Sequence, residues 1–148
     1  LVPKAELPLH LEGAIPLDTL WELIVKYGGD PSVPSRNSLR SRLTYSNFPA
    51  FIETWVWKNN FIRAYEDFSF IAESVARDLA QQNIIYAEVF FSPSRFTENS
   101  TMTTAGITEA IRIGLNKINK WQFKLLLIRD NSFLEFLEHK IISLQNMC

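Results

Sequence analysis

Over residues 5–11, three leucines stand at every second position. A period of two is typical of a β-strand, so this alternation predicts a first strand. Two later segments, residues 84–91 and 123–128, are almost continuously apolar or aromatic. Runs of this kind are typical of strands that are buried on both faces of a parallel sheet. The pattern therefore predicts three strands.

Between these strands, apolar residues recur at the spacing of amphipathic helices. The resulting order of strand, helices, strand, helix, strand and helix predicts a parallel α/β sheet with crossover helices. Residues 30–46 are rich in Pro, Ser and Arg and predict a loop. The predicted helices cover residues 16–27, a region that begins at Phe48, a region from Asp67 to Asn83, residues 104–120 and residues 132–145.

Composition narrows the class of protein. The chain has 148 residues, of which 47% are hydrophobic and 21% charged, as expected of one folded domain. A formal net charge of -1 argues against a strongly basic nucleic-acid-binding protein. The single Cys excludes an internal disulfide framework and a cysteine-based zinc finger. No apolar run reaches the roughly 20 residues of a membrane span, and no signal peptide is visible. We therefore expect a cytoplasmic protein with neither nucleic acid nor membrane as a partner.

Four segments carry a resemblance to a known family. Residues 3–14 read PKAELPLHLEGA and resemble the first strand of the adenosine deaminase family, which usually reads Pro-Lys-x-Glu-Leu-His-x-His-Leu followed by an acid and Gly. Residues 48–51 (FPAF), 86–93 (YAEVFFSP) and 125–130 (LLLIRD) are similar to later motifs of that family, in the same order. The resemblance extends from residue 3 to about residue 130.

This resemblance implies a fold and an activity. The family is a zinc-dependent (β/α) barrel that hydrolytically removes the 6-amino group of adenosine or an adenine-type purine and releases ammonia. A complete barrel has eight strands. We therefore expect residues 1–148 to form a single N-terminal fragment, a partial (β/α) barrel of about three strands. Residues 132–148 depart from the family pattern and are expected to form an atypical tail.

The resemblance places one metal ligand in this sequence. His10 matches the second of the two ligand histidines on the family's first strand, and Pro8 stands where the first would be. Without the resemblance, a histidine packed at a strand end is a better interpretation of His10 than a metal ligand, because single histidines are common in such positions. Catalytic zinc normally takes three protein ligands, and the family's other ligands and catalytic groups lie on later strands. We therefore expect that this chain alone retains no zinc, and no catalytic residue is assigned.

The resemblance also places substrate-binding residues. Glu12, followed by Gly13, matches the acidic position that contacts the substrate ribose in adenosine deaminases. Phe48 and Phe51 match an apolar wall of the purine pocket. The aromatic residues that follow, Trp55 among them, are interpreted as core.

Two hypotheses for the function remain open. The chain is either part of an adenosine- or adenine-type deaminase, active when its missing strands are supplied, or a non-catalytic, truncated homologue that binds a partner. Pro8 and the missing strands favour the second hypothesis. A three-stranded sheet has two open edges, so we also expect self-association through them.

Overall fold

Three parallel strands form the sheet in the computed structural model, which describes residues 2–98, 100–118 and 122–127. The strands are β1 (Lys4–His10), β2 (Ile84–Phe91) and β3 (Gln122–Leu127), and their order in the sheet is β1-β2-β3. His10 is paired with Phe90, and Phe91 with Leu127. The three predicted strands and their parallel arrangement are thus confirmed.

The pairing of β1 with β2 is irregular between Glu6 and Leu9, the segment that contains Pro8. Proline has no backbone N–H and cannot donate to a neighbouring strand. The regular register resumes at Leu9, which pairs with Val89. The carboxyl end of β1 therefore keeps its place beside β2 in spite of the proline.

The described residues also form six α-helices. In the order of the chain, four of these helices come between β1 and β2, and two come between β2 and β3. None of the helices among the described residues is both long enough and apolar enough to span a bilayer. The predicted helix over 132–145 and the tail over 132–148 lie outside the described residues. The helices are α1 (Leu17–Lys26), α2 (Arg36–Arg42), α3 (Phe48–Asn59), α4 (Tyr65–Gln81), α5 (Ser94–Thr97) and α6 (Thr104–Asn116).

Helix α2 corrects the prediction of an uninterrupted loop over 30–46. Ser35 precedes the helix, and its hydroxyl accepts a hydrogen bond from the backbone N–H of Ser38. The Ser38 hydroxyl in turn accepts from the backbone N–H of Ser35, which completes a capping box. Leu39 is fully buried and anchors the short helix to the core. The capping box and the burial of Leu39 thus stabilise a helix in a segment whose composition predicts a loop.

Asp67, at which the third predicted helical region begins, is buried in the first turn of α4. Its carboxylate accepts hydrogen bonds from Lys26 Nζ and Tyr27 OH. The backbone N–H groups of Arg63 and Ala64 also donate to it, at 2.8 and 2.9 Å. Burial raises the pKa of Asp67, but these hydrogen bonds outweigh it and leave the pKa below its usual value. Asp67 therefore caps α4 and joins it to α1.

Helices α4 and α6 pack closely against each other beside β2. Gly114 in α6 allows this approach, since a Cβ atom there would lie 2.2 Å from the backbone oxygen of Ser69 in α4. Phe68 of α4 and Phe91 of β2 are fully buried, and their ring centroids are 5.5 Å apart. This core fixes the carboxyl end of β2, where the candidate site lies.

Candidate functional site

The carboxyl ends of β1 and β2 bring the predicted site residues together. His10 is the last residue of β1, and Glu12 lies in the 3₁₀ turn that follows, Leu11–Gly13. The backbone N–H of Ser92, the residue after β2, donates to Glu12 Oε1 at 3.1 Å. Glu12 therefore links the ends of two adjacent parallel strands, the end at which (β/α) barrels carry their functional groups.

His10 is half-buried between aromatic rings. Its ring centroid lies 6.3 Å from that of Trp55, which it meets edge-on, and 5.8 Å from that of Phe90. Burial lowers the pKa of His10, which favours the neutral imidazole. Within the ranges that the structure describes, no three His, Cys, Asp or Glu side chains come together as a metal-binding group. The assignment of His10 as a metal ligand stays a prediction.

Helix α3 supplies an aromatic wall, formed by Phe48, Phe51 and Trp55. The ring centroids of Phe48 and Phe51 are 6.1 Å apart, and those of Phe51 and Trp55 are 5.7 Å apart. Exposure falls along the wall, from Phe48, which is 39% exposed, to the half-buried Trp55 beside His10. Trp55 thus belongs to the candidate site, although the sequence suggested a place in the core.

Gly13 lets the aromatic wall approach the end of β1. A Cβ atom at this position would lie 3.1 Å from the six-membered ring of Trp55. Any larger side chain would have to displace that ring by a few tenths of an ångström. The structure thus places Glu12 and Gly13 directly after β1 and Phe48 and Phe51 in the aromatic wall, while their contact with a substrate stays a prediction.

A lysine that the sequence did not single out completes the site. Lys58 of α3 is 5% exposed, and its ammonium lies 4.2 Å from the centroid of the Trp55 ring. Burial raises the pKa of Glu12 to about 7, although the Ser92 N–H and the positive charge of Lys58 lower it in part. Burial also lowers the pKa of Lys58 to about 8, against the attraction of Glu12. Glu12 and Lys58 are thus both buried, and burial moves both pKa values toward neutrality.

Several polar atoms around this pair are buried without a hydrogen-bond partner among the described residues. They are Glu12 Oε2, Lys58 Nζ, Asn59 Oδ1 and Ser92 Oγ. Buried polar atoms in native proteins are almost always hydrogen-bonded to protein, water or a ligand. A carboxylate acceptor, an ammonium donor and an aromatic wall together suit a flat ring with polar edges.

The spacing of α3 contains the signal that could have found Lys58. Phe51, Trp55 and Lys58 lie four and then three residues apart, which places them on one face of a helix. Asn59 and the half-buried Ser92 carry no such signal, because nothing in the sequence around them predicts that their side-chain oxygens are buried.

Comparisons with known proteins agree with this geometry. The sequence matches the family model described as adenosine deaminase over residues 3–127. An adenine deaminase of Bordetella parapertussis is 29% identical over 141 residues, which cover 93% of this chain and 42% of that relative.

Two solved structures share the fold. The crystal structure of adenine deaminase from Arthrobacter aurescens matches with a TM-score of 0.70 and 20% identity, covering 95% of this chain and 45% of that one. An amidohydrolase from Burkholderia ambifaria with bound Zn matches with a TM-score of 0.69 and 23% identity, covering 86% of this chain and 35% of that one. The predicted partial (β/α) barrel is therefore confirmed, and the chain spans less than half the length of these proteins.

Proposed function

Because the chain belongs to the adenosine deaminase family, we propose that it forms the purine-binding end of a hydrolase that removes the 6-amino group of an adenine-type purine. The Bordetella and Arthrobacter proteins are named adenine deaminases, which supports adenine or a close derivative as the ligand. The proposal concerns the whole protein, since this chain corresponds to 42% of the Bordetella relative.

One observation carries the proposal: a buried acid and an aromatic wall meet at the carboxyl ends of β1 and β2. Glu12 Oε2 has no hydrogen-bond partner within the described segments and can accept from a ligand N–H or O–H. The rings of Phe48 and Phe51 offer flat apolar surfaces against which a purine can stack. Because Gly13 has no side chain, the Trp55 ring of the wall can approach the backbone next to the acid.

Zinc does not fit the described residues by themselves. The resemblance implies a zinc-dependent reaction, but catalytic zinc normally takes three protein ligands. His10 supplies one nitrogen, and Pro8 offers no ligand atom where the family has a histidine. Metal binding in the family's manner would need ligands from outside the described residues.

Pro8 favours a second candidate function, that of a homologue which binds a purine or a partner without deaminating it. This second candidate function uses the same site as the first proposal, but it includes no deamination. We propose that the chain by itself binds a purine through Glu12 and the aromatic wall and releases no ammonia.

Calorimetric titration of the purified protein with adenine and with adenosine tests the binding. We expect saturable binding of at least one of them. Glu12→Gln should weaken it about tenfold or more, the usual effect of losing a hydrogen bond to a charged group. Glu109→Gln is the matched control, because Glu109 is an exposed acid of α6 that pairs with Arg112. Absence of saturable binding, or equal affinity of the Glu12 variant, overturns the proposal.

An ammonia-release assay, with and without added zinc, tests the chemistry. We expect no release above background from the chain alone. Release that zinc stimulates and that His10→Ala abolishes would assign catalysis to this chain and reject the non-catalytic alternative.

The sheet edges support a proposal about self-association. Within the described sheet, β1 and β3 are the outer strands, and each leaves one side of its backbone unpaired. Unpaired strand edges promote pairing between chains. We propose that isolated chains associate through these edges. Light scattering during size-exclusion chromatography should show species larger than a monomer, and a monomer at all concentrations would contradict this.

A further inference from the structure

Helix α3 carries the aromatic wall, but its backbone has no extended contact with any other helix or strand among the described residues. Helices α4 and α6, by contrast, pack closely along each other. The position of the wall therefore depends on side-chain contacts of α3. Trp55 makes one of them, against Gly13 after β1. Trp57 lies two positions further along, about 200° around the helix axis, and thus on roughly the opposite side of α3.

Trp57 joins α3 to a loop that lies 27 positions earlier in the chain. Its indole N–H donates a hydrogen bond to Asp30 Oδ2 at 2.8 Å. The hydrogen bonds from Ser32 and Trp57 hold the pKa of Asp30 below its usual value, so the acceptor is a carboxylate at neutral pH. Hydrogen bonds to a charged acceptor are stronger than those between neutral groups.

The acceptor is itself fixed in the loop. The backbone N–H and the hydroxyl of Ser32 both donate to Asp30 Oδ1, at 2.8 and 2.6 Å. The backbone N–H of Val33 donates to the carbonyl oxygen of Asp30 at 3.0 Å, and the Val33 side chain is fully buried in the core. One carboxylate oxygen thus serves the loop, while the other is available to Trp57.

Arg42, the last residue of α2, contacts the face of the same indole. The central carbon of its guanidinium lies 4.1 Å from the centroid of the Trp57 ring. One of its N–H groups donates to the Ser32 hydroxyl at 2.9 Å, which links it to the Asp30 loop. A planar guanidinium stacks well on an aromatic face. The segment 30–42 therefore contacts Trp57 both at its N–H and on its ring.

We propose that Trp57 is a positioning residue of the purine site: its hydrogen bond to Asp30 fixes α3 to the segment 30–42 and so holds Phe51 and Trp55 where a purine can stack. Trp57 acts from the opposite side of the helix and does not bind the ligand itself. The inference rests on the proposed function, in which the aromatic wall binds the purine. Nothing in the family resemblance assigns a role to Trp57 or Asp30.

Trp57→Phe tests the inference, because it removes the indole N–H and retains an aromatic ring. Calorimetric titration with adenine and with adenosine should show binding weakened by about threefold to tenfold, part of the effect of losing a hydrogen bond to a charged group. Asp30→Ala should weaken binding similarly. The double variant should bind no more weakly than Asp30→Ala alone, since both changes remove the same bond.

Two further variants separate positioning from a general effect on stability. Asp30→Asn retains an oxygen acceptor for the indole N–H and should lose less affinity than Asp30→Ala. Trp21→Phe makes the same change as Trp57→Phe in a half-buried tryptophan of α1, and it should bind like the wild type. A role of Trp57 in stability alone would lower Tm and leave the affinity of the folded variants unchanged.

The results distinguish this inference from the proposed function. Absence of saturable binding by the wild type overturns both. Saturable binding with wild-type affinity in Trp57→Phe overturns the positioning role alone, and so do additive losses in the double variant. If Trp57→Phe fails to fold, the change in the loop decides. Weaker binding by Asp30→Ala than by Asp30→Asn then supports positioning, and equal affinity of these two variants overturns it.

Discussion

Gly114→Ala should destabilise the protein although alanine favours helices. A Cβ atom at position 114 would lie 2.2 Å from the backbone oxygen of Ser69 and 2.8 Å from Cβ of Ala72. Because the nearest atom belongs to the backbone of α4, no side-chain rotation relieves the contact. Overpacking costs about 1–3 kcal/mol, and we expect a value near the upper end because the contact is with backbone. Replacing Gly by Ala in a helix gains about 1 kcal/mol through helix propensity. We expect a net loss of about 2 kcal/mol.

Gly106→Ala in the same helix is the matched control. Its Cβ atom would meet the ring of Tyr65 at 2.6 Å, but that side chain lies at the surface and can rotate away. Rotation would break the hydrogen bond from the Thr103 N–H to Tyr65 OH, at a cost of about 1 kcal/mol, similar to the gain in propensity. Urea unfolding should therefore give Gly114→Ala a lower free energy of unfolding than Gly106→Ala. Equal stabilities, or a more stable Gly114→Ala, would refute the argument from backbone contact.

Three further predictions concern α4 and the site. Asp67→Asn should cost about 1.5–3 kcal/mol at pH 7. Because the pKa of Asp67 is lowered in the folded protein, its contribution exists above the unfolded pKa of about 4 and disappears as the pH falls through the folded value. Urea unfolding should therefore show a smaller difference in the free energy of unfolding between Asp67→Asn and wild type at pH 3 than at pH 7. An equal difference at both pH values would contradict this. Gly13→Ala should weaken adenine binding in calorimetric titrations without lowering Tm, because the new Cβ displaces the Trp55 ring; unchanged affinity would show that the ring position is unimportant. Pro8→His should confer neither deamination nor one zinc per chain, because two histidines still fall short of three ligands; metal analysis that finds about one zinc would reject this.

Periodicity predicted the strands because burial of a sheet leaves a strong local pattern. The run over 84–91 becomes β2 without a change of bounds, and β3 begins one residue before the predicted segment 123–128. Helix α2 could not be predicted in the same way. Its stability depends on the capping pair Ser35 and Ser38 and on the burial of Leu39, and a composition rich in Ser and Arg conceals both.

Asp67 shows where local interpretation of a charged residue fails. An acid in the first turn of a helix is favourable at the surface, and the sequence around it gives no reason to expect burial. Its partners Lys26 and Tyr27 are about 40 positions away in the chain and reach it only because α1 packs near α4. Contacts of this kind depend on the arrangement of helices, which periodicity does not specify.

The sequence pointed to Glu12, Gly13, Phe48 and Phe51, whose contact with a ligand stays a prediction, and it did not single out the buried Lys58. The family resemblance points to Glu12 and Phe51 because it follows positions along the sequence. Lys58 shares a helical face with Phe51, but a lysine on an aromatic face is usually interpreted as the solvated edge of that face. It becomes part of the candidate site only when Glu12, just after β1, is known to be buried and the Lys58 ammonium is known to lie over the Trp55 ring. The helical spacing and the buried acid come from segments about 40 residues apart, so neither segment alone could identify the pair.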